Sequence, residues 1–129
     1  MKTTILIIED NVQNLYLATF LLEARGHHIE HAADGVRGIE LAGSLHPDLI
    51  LLDIQLPSMD GYAVAQALKN NPALKHIPIV AVTSYAMVGD CEKIMAAGAQ
   101  GCLEKPINPD TFVTEVEKFI CPAKEGRKS

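Results

Sequence analysis

LILLDIQLPSMDG, residues 49–61, places four aliphatic residues directly before an acid, Asp53, and follows it with a proline, a second acid and a glycine. A short run that is apolar at every position is typical of a strand buried on both faces of a parallel sheet. A carboxylate in such surroundings is costly unless it has partners. We therefore interpret Asp53 as part of a functional site at the end of a buried strand.

Five runs of strand length alternate along the chain with stretches of helical spacing. The predicted strands are TILII at 4–8, HIEHA at 28–32, LILL at 49–52, IPIVAVT at 77–83 and GCLE at 101–104. Strands that alternate with helices predict an α/β fold, in which helices cover both faces of a parallel sheet. For five strands the common doubly wound order is 2-1-3-4-5, which places a ligand crevice beyond the carboxyl ends of strands 1 and 3.

Punctuation residues mark the predicted helix ends and the extent of the domain. Gly26 and Gly98 occupy positions typical of helix C-caps, and Asn108, followed by a proline and an acid, predicts the N-cap of the last helix. A chain of 129 residues has the size of one domain, which we place at residues 1–120. Residues 121–129, CPAKEGRKS, are predicted to be a flexible tail or the start of a linker.

Charge and composition argue against several classes of function. The formal net charge is −5, whereas nucleic-acid binding depends on clustered Lys and Arg, so we expect no direct nucleic-acid contact. The first apolar stretch is too short for a membrane span and is followed by acids, so we expect no membrane insertion and a cytoplasmic location. Cys91, Cys102 and Cys121 form no Cys-x-x-Cys pair, so we expect reduced thiols, with neither a disulfide framework nor a zinc site.

The ends of the predicted strands carry polar residues that suit one kind of chemistry. Strand 1 is followed by Glu9 and Asp10, and strand 3 by Asp53. Two carboxylates about 4 Å apart repel by roughly 4 kcal/mol at an effective dielectric near 20. A hard divalent cation offsets that repulsion, and Mg²⁺ leaves coordination positions open for water or phosphate. We predict Mg²⁺ held by Asp10 and Asp53, with Glu9 acting through water.

Thr83 ends strand 4 and Lys105 follows strand 5, and a metal alone needs neither residue. A phosphoryl group on Asp53 needs both, because the ammonium pairs with phosphoryl oxygens and the hydroxyl donates to another. Asp53 is then a covalent nucleophile, and catalysis is mostly positioning and charge neutralisation. A flavodoxin-type electron carrier is disfavoured, because it needs a Ser/Thr/Gly-rich phosphate cradle where this chain has acids.

Four motifs in this order resemble a response-regulator receiver domain of the single-domain, chemotaxis-regulator-like kind. They are IIED at 7–10, LILLDIQLPSMDG at 49–61, IVAVTS at 79–84 and GCLEKPI at 101–107. The resemblance implies a phosphoprotein of two-component signalling, in which Asp53 takes a phosphoryl group from a histidine of a sensor kinase or histidine phosphotransfer protein. It also implies a downstream protein target. Such a domain catalyses its own phosphorylation and dephosphorylation and turns over no external substrate.

The resemblance implies a role for each residue that matches a motif. Glu9 and Asp10 match the acidic pair that organises Mg²⁺, and Gln55 would lend its backbone carbonyl to the metal. Thr83 matches the switch hydroxyl, and Lys105 matches the phosphate-binding lysine.

Three further positions concern switching and tuning. The peptide between Lys105 and Pro106 is commonly cis in the family, which only an X-Pro bond tolerates at low cost. Cys102 departs from the pattern, because the family usually carries Tyr or Phe there as an aromatic that turns inward. Tyr85 and Gln55 form the pair that, by resemblance, tunes self-dephosphorylation or gates water access.

One alternative function stays open alongside phosphoryl transfer. Receiver-like domains can lose activity and keep their fold, so a phosphorylation-independent interaction module is the rival hypothesis. The acids, the threonine and the lysine are all present, which favours the active form. Output is then expected through the loops after strands 3 and 4 and the face of helix 4, strand 5 and helix 5. The sequence does not decide between a stand-alone regulator and a fragment of a hybrid protein.

Overall fold

Five parallel strands alternate with five helices in the part of the chain that the computed structural model describes, residues 3–54, 56, 60–83, 90–104 and 107–120. The elements are β1 Thr4–Ile8, α1 Val12–Glu23, β2 His28–Ala32, α2 Gly35–Leu45, β3 Leu49–Asp53, α3 Gly61–Lys69, β4 Ile79–Thr83, α4 Asp90–Ala96, β5 Gly101–Glu104 and α5 Phe112–Glu117. The strand order is β2-β1-β3-β4-β5. The predicted α/β class and strand order are confirmed.

Two apolar layers, one on each face of the sheet, form the core. Alternate residues of a strand point to opposite faces, so the run in β3 supplies Leu49 and Leu51 to one layer and Ile50 and Leu52 to the other. α1 and α5 close the first layer, and α2, α3 and α4 close the second. Each fully buried Leu or Ile contributes about 1.5–3 kcal/mol. Burial on both faces explains why the sequence of β3 shows no polar alternation.

Side-chain caps begin three of the helices. Asn11, Asp34 and Asp60 each accept a hydrogen bond from the backbone amide three residues later, at 2.9, 2.8 and 2.9 Å respectively. Each bond satisfies an amide that has no partner within the helix. Asp60 thus has the structural role of a cap, as its place before a helical stretch suggests.

Positive φ angles follow two of the helices where glycines were expected. Gly26 has a φ of 91° and Gly98 a φ of 126°, and this left-handed region carries little steric cost for glycine. His46, the C-cap of α2, has a φ of 47° and is the one non-glycine residue with positive φ in the described chain. The two glycines thus lie just after α1 and α4, as predicted, although the C-cap residue of α1 is Ala24.

Three details of the predicted helices were wrong. α5 begins at Phe112 and not directly after Asn108, because Asn108 forms a separate turn, in which its side chain accepts a hydrogen bond from the Asp110 amide at 2.9 Å and its carbonyl oxygen accepts one from the Thr111 amide. The helical spacing of Met95 with Cys91 and Ile94 predicts a core position, but Met95 is 48% exposed. The helical spacing of Val12 with Leu15 and Leu22 predicts a buried position, but Val12 is 77% exposed. Helix phase, which turns by 100° per residue, is harder to read from sequence than strand phase.

The longest described helix, α1, has 12 residues, and none of the described helices combines the length and apolarity that a bilayer crossing requires. Residues 121–129 lie outside the described chain, so the predicted tail stays a prediction.

Candidate functional site

Strand register brings the predicted site residues to one edge of the sheet. Ile8 pairs with Leu52, so Glu9 and Asp53 each lie one residue beyond the same rung of the ladder. Asp53 pairs with Val82, which places Thr83 one residue further along the neighbouring strand. In a parallel sheet these carboxyl ends meet at the same rim. The register therefore creates the site directly.

Three carboxylates form a cluster at this rim, which we call the acidic rim: Glu9, Asp10 and Asp53. One ligand oxygen from each lies within 4.8 Å of the others. Glu9 is 6% exposed and Asp53 is 3% exposed, whereas Asp10 lies in solvent. Grouped carboxylates that are largely buried repel strongly. A set of hard oxygen donors open on one side fits a small divalent cation such as Mg²⁺.

The backbone holds Glu9 in the rim. Its amide donates to the Ala32 carbonyl at 2.9 Å, which extends the β1–β2 ladder one residue past the strand. One oxygen of its carboxylate accepts a bond from the Asn11 amide at 3.2 Å, at the start of α1. The positive end of the helix dipole favours a carboxylate there. The β1–α1 junction thus positions Glu9 in the rim and leaves the next acid, Asp10, on the exposed side of the cluster.

Asp53 is fixed from the other side by the start of α3. The Ile54 amide donates to the Val82 carbonyl at 3.1 Å, and the Gly61 amide donates to the Ile54 carbonyl at 2.8 Å. A Cβ atom on Gly61 would lie 2.6 Å from Ile54 Cα and 3.0 Å from the Asp53 carbonyl oxygen. Only glycine permits this close approach. Gly61 therefore allows the start of α3 to pack closely against the backbone of Asp53, the predicted nucleophile.

Thr83 ends β4 and is 1% exposed, next to the strand that carries Asp53. Four other predicted site residues, Gln55, Tyr85, Lys105 and Pro106, lie outside the described residues, and their roles stay predictions. Glu104, which precedes the lysine, pairs with Thr83 across β4 and β5.

The cysteines differ from expectation. Cys91 and Cys102 form a disulfide, with an S–S distance of 2.02 Å and a Cα–Cα distance of 5.7 Å. The expectation of reduced thiols was wrong for this pair, because sequence spacing shows only that the two are 11 residues apart. Their meeting depends on the pleat of β5, which turns Cys102 into the layer closed by α4, and on the phase of α4, which places Cys91 on the same face as buried Ile94.

Two basic side chains contact Glu117 of α5, although an acid in the last helix of the sequence is typical of a solvated face. His27 Nε2 lies 2.8 Å from one carboxylate oxygen and Arg25 donates to the other at 3.2 Å. The His27 side chain is only 12% exposed, so this histidine is not a simple surface residue. These contacts connect the end of α1 to α5 and indicate a structural role. They lie near the amino end of β2, at the end of the sheet opposite the acidic rim.

Lys69, at the end of α3, is half-buried and contacts the loop that leads to β4. Burial lowers the pKa of Lys69, and its Nζ donates to the Lys75 and Ile77 carbonyls at 2.9 and 3.0 Å. Both acceptors precede β4, at the end of the sheet opposite the acidic rim. Lys69 therefore stabilises the α3–β4 connection and does not face the candidate site.

An exposed apolar stripe on α1, formed by Val12, Tyr16 and Phe20, begins two residues after Asp10. The three side chains are 77%, 71% and 60% exposed, and a spacing of four residues aligns them on one face. The two rings stack with centroids 6.5 Å apart. This stripe was not predicted, because the helical spacing of Val12 with Leu15 and Leu22 indicates the buried face of α1. We call it the α1 stripe.

Comparisons with known proteins agree with the geometry. The family described as response regulator receiver domain matches residues 5–117. The polar-differentiation response regulator DivK of Brucella ovis is 39% identical over 120 residues, covering 93% of this chain and 98% of that protein. A putative response regulator from Chloroflexus aurantiacus is 26% identical, with a TM-score of 0.89 over 93% of this chain and 98% of its own.

A third similar protein carries a metal. The receiver domain of the Pseudomonas aeruginosa sensor histidine kinase PA1611, solved with a magnesium ion coordinated in the active site cleft, is 29% identical. Its TM-score is 0.85, over 93% of this chain and 98% of its own.

Proposed function

The chain belongs to the response regulator receiver domain family of two-component signalling, and from that premise we propose that Asp53 accepts a phosphoryl group from a phosphohistidine and that protein partners read the result. The acidic rim is the observation that carries this proposal, because three carboxylates converge within 4.8 Å at the carboxyl ends of β1 and β3. The nucleophile Asp53 is buried, but Asp10 beside it is exposed, so the cluster opens to solvent on the side from which a phosphoryl donor would approach.

Phosphoryl transfer assigns work to each residue of the rim. A carboxylate oxygen of Asp53 attacks the phosphorus, the new P–O bond forms, and the P–N bond to the donor histidine breaks. The Thr83 hydroxyl donates to a phosphoryl oxygen, and the Lys105 ammonium pairs with another. The same positioning groups serve the later attack of water, so the domain catalyses its own dephosphorylation.

Mg²⁺ belongs to the proposal because the donor set fits it. Asp10 and Asp53 would hold the ion, with Glu9 acting through water and the Gln55 backbone carbonyl as a further ligand. The bound ion would neutralise charge on the phosphoryl oxygens. Without a cation, the repulsion among the three carboxylates opposes the approach of an anionic phosphoryl group.

The α1 stripe supports a protein as the phosphoryl donor. Exposed aromatic side chains contribute strongly to protein interfaces, and this stripe starts beside Asp10 at the mouth of the rim. A sensor kinase or histidine phosphotransfer protein seated on it could present its phosphohistidine to Asp53. A cytoplasmic location follows within the proposal, because such kinases take their phosphoryl group from cytoplasmic ATP.

Small phosphoryl donors test the chemistry without any partner. The native protein is incubated with phosphoramidate, whose P–N bond resembles that of phosphohistidine, with and without Mg²⁺, and its intact mass is measured. We expect one phosphoryl group on the native protein only when Mg²⁺ is present, and none on Asp53→Asn. Asp34→Asn is the matched control, because asparagine caps a helix as well as aspartate does. A native protein that gains no phosphoryl group contradicts the proposal and favours the phosphorylation-independent module.

A further inference from the structure

The disulfide adds a second covalent link between two consecutive elements, α4 and β5, which the chain already joins through residues 97–100. Cys91 lies in the first turn of α4 and Cys102 in β5, and Cys102 pairs in register with Ala81 of β4. Two residues after Ala81, β4 ends at Thr83, and residues 84–89 lead from there to α4. The bond therefore ties the start of α4, the end of the helix that follows β4 along the chain, to the strand that pairs with β4. We call the region of Cys91 and Cys102 the α4–β5 edge.

A disulfide at this place has a chemical context that favours reversibility. A Cα–Cα distance of 5.7 Å is ordinary for a disulfide, so the backbone there suits the bonded pair. Both residues are half-buried, which leaves them within reach of small thiols and disulfides. In a reducing cytoplasm, where we propose that the protein works, disulfides of this kind are transient and act in redox sensing.

We infer that Cys91 and Cys102 are a reversible redox site, and that oxidation of this pair fastens α4 to β5 and thereby limits the response of the α4–β5 edge to phosphorylation. The second part rests on the proposed function of Asp53. The oxidant is a low-molecular-weight disulfide such as oxidised glutathione. The site adds an oxidation signal to the phosphoryl signal on the same small domain.

The oxidation proceeds by two thiol–disulfide exchanges. One cysteine thiolate attacks a sulfur of oxidised glutathione, which forms a mixed disulfide and releases one glutathione thiolate. The second cysteine thiolate attacks the protein-bound sulfur, forms the Cys91–Cys102 bond and releases the second glutathione thiolate. Two cysteines are oxidised and one glutathione disulfide is reduced, and the protons lost by the two cysteines are taken up by the released thiolates.

This second link explains how the bond would affect switching. In the proposed switch, the Thr83 hydroxyl shifts toward the phosphoryl group, and that displacement would reach α4, the next described element along the chain. With free thiols, α4 can follow that displacement relative to β5. With the disulfide formed, the start of α4 is tied to the strand beside β4, so the same displacement is resisted.

Thiol counting tests the redox site without reference to phosphorylation. The folded protein is equilibrated in glutathione buffers that range from reducing to oxidising, quenched in acid, alkylated and weighed. We expect the native protein and Cys121→Ala to lose two alkylatable thiols together and to regain them with reductant, and Cys91→Ala and Cys102→Ala to form no internal disulfide. Retention of all three thiols in every buffer overturns the inference. A pair that stays oxidised in the most reducing buffer also overturns it, because the bond is then permanent.

Amide chemical shifts test the coupling. Beryllofluoride, a phosphoryl mimic, is added to the ¹⁵N-labelled protein in reduced and oxidised form, and the shift changes of residues 90–104 are compared. We expect the oxidised native protein to show less than half of the reduced protein's response, and Cys91→Ala to respond equally in both buffers. Equal responses of the two native forms overturn the coupling. No response in either form, at Asp53 or elsewhere, overturns the coupling together with the proposed function, while thiol counting still decides the redox site.

Discussion

The acidic rim and the α4–β5 edge lie on one sheet but are held together by different means. The rim depends on backbone hydrogen bonds, since the β1–β3 and β3–β4 registers alone bring Glu9, Asp53 and Thr83 to one line. At the edge, where β5 pairs with β4 and Ile94 of α4 is buried in the core, the bond between Cys91 and Cys102 adds a side-chain link. A site built on register is rigid and suits catalysis, which requires groups fixed in place. A contact made by side-chain chemistry can change with conditions and suits regulation.

The largest predicted effect comes from removing Asp10 from the acidic rim. Outer-shell partners of a metal typically account for a 10–100-fold effect, so loss of a direct ligand should slow Mg²⁺-dependent phosphorylation by at least about 100-fold. Mg²⁺ should raise the melting temperature of the native protein by linkage and leave that of Asp10→Ala unchanged. Phosphorylation rates with acetyl phosphate and thermal melts with and without Mg²⁺ measure both effects.

Glu40→Gln is the control for Asp10→Ala. It removes one negative charge from the exposed face of α2, where Glu40 makes a 3.4 Å ion pair with Arg37, and should keep the Mg²⁺-dependent melting shift. If Asp10→Ala retained that shift in full, the metal assignment to the rim would be wrong.

The second prediction tests whether the rim is as rigid as its backbone contacts indicate. Gly61→Ala should lower the free energy of unfolding by about 2 kcal/mol, because the new Cβ meets the backbone of Ile54, which cannot move aside as a flexible side chain can. The same displacement should also slow phosphorylation of Asp53. Urea unfolding followed by circular dichroism gives the first quantity, and acetyl phosphate labelling gives the second.

Gly43→Ala provides the opposite case in the same kind of experiment. Nothing lies within 4 Å of a Cβ at Gly43, which is an exposed residue within α2. Alanine there should raise the free energy of unfolding by up to about 1 kcal/mol through helix propensity. If Gly61→Ala were as stable as the native protein, the backbone at the junction of β3 and α3 would be able to move at little cost in free energy. Rigidity would then not distinguish the acidic rim from the α4–β5 edge.

The same contrast explains which features could be predicted from the sequence. Parallel strands that are buried on both faces can be identified in the sequence as apolar runs. The residues at the carboxyl end of each run lie at one end of the sheet, and this position does not depend on how the helices pack. The positions of Glu9, Asp10, Asp53 and Thr83 at this end of the sheet could therefore be predicted from the sequence. The packing of α3 against Asp53 depends on the close approach of Gly61 to the backbone of Ile54. No spacing pattern in the sequence predicts that contact.

Features that depend on helix phase and long-range pairing were not predicted. The Cys91–Cys102 bond needs both the start of α4 and the pleat of β5 to be known within one residue. The contacts of His27 and Glu117 join residues 90 positions apart, which local patterns do not connect. Met95 was misassigned for the same reason, since a shift of one position turns a helical side chain by 100° from core to solvent.

The smallest predicted effect tests whether the rim has its own protein-facing surface, separate from the α4–β5 edge. Phe20→Ala removes an exposed ring of the α1 stripe and should slow transfer from a phosphorylated histidine phosphotransfer protein by roughly five-fold, which corresponds to about 1 kcal/mol of interface energy. Transfer from acetyl phosphate should be unchanged, because that donor needs no surface. Met95→Ala removes an apolar side chain of similar exposure from α4 and should leave both rates unchanged. If Met95→Ala slowed protein transfer as much as Phe20→Ala, the donor would extend across both regions, and the division between a catalytic rim and a regulatory edge would not describe how partners bind.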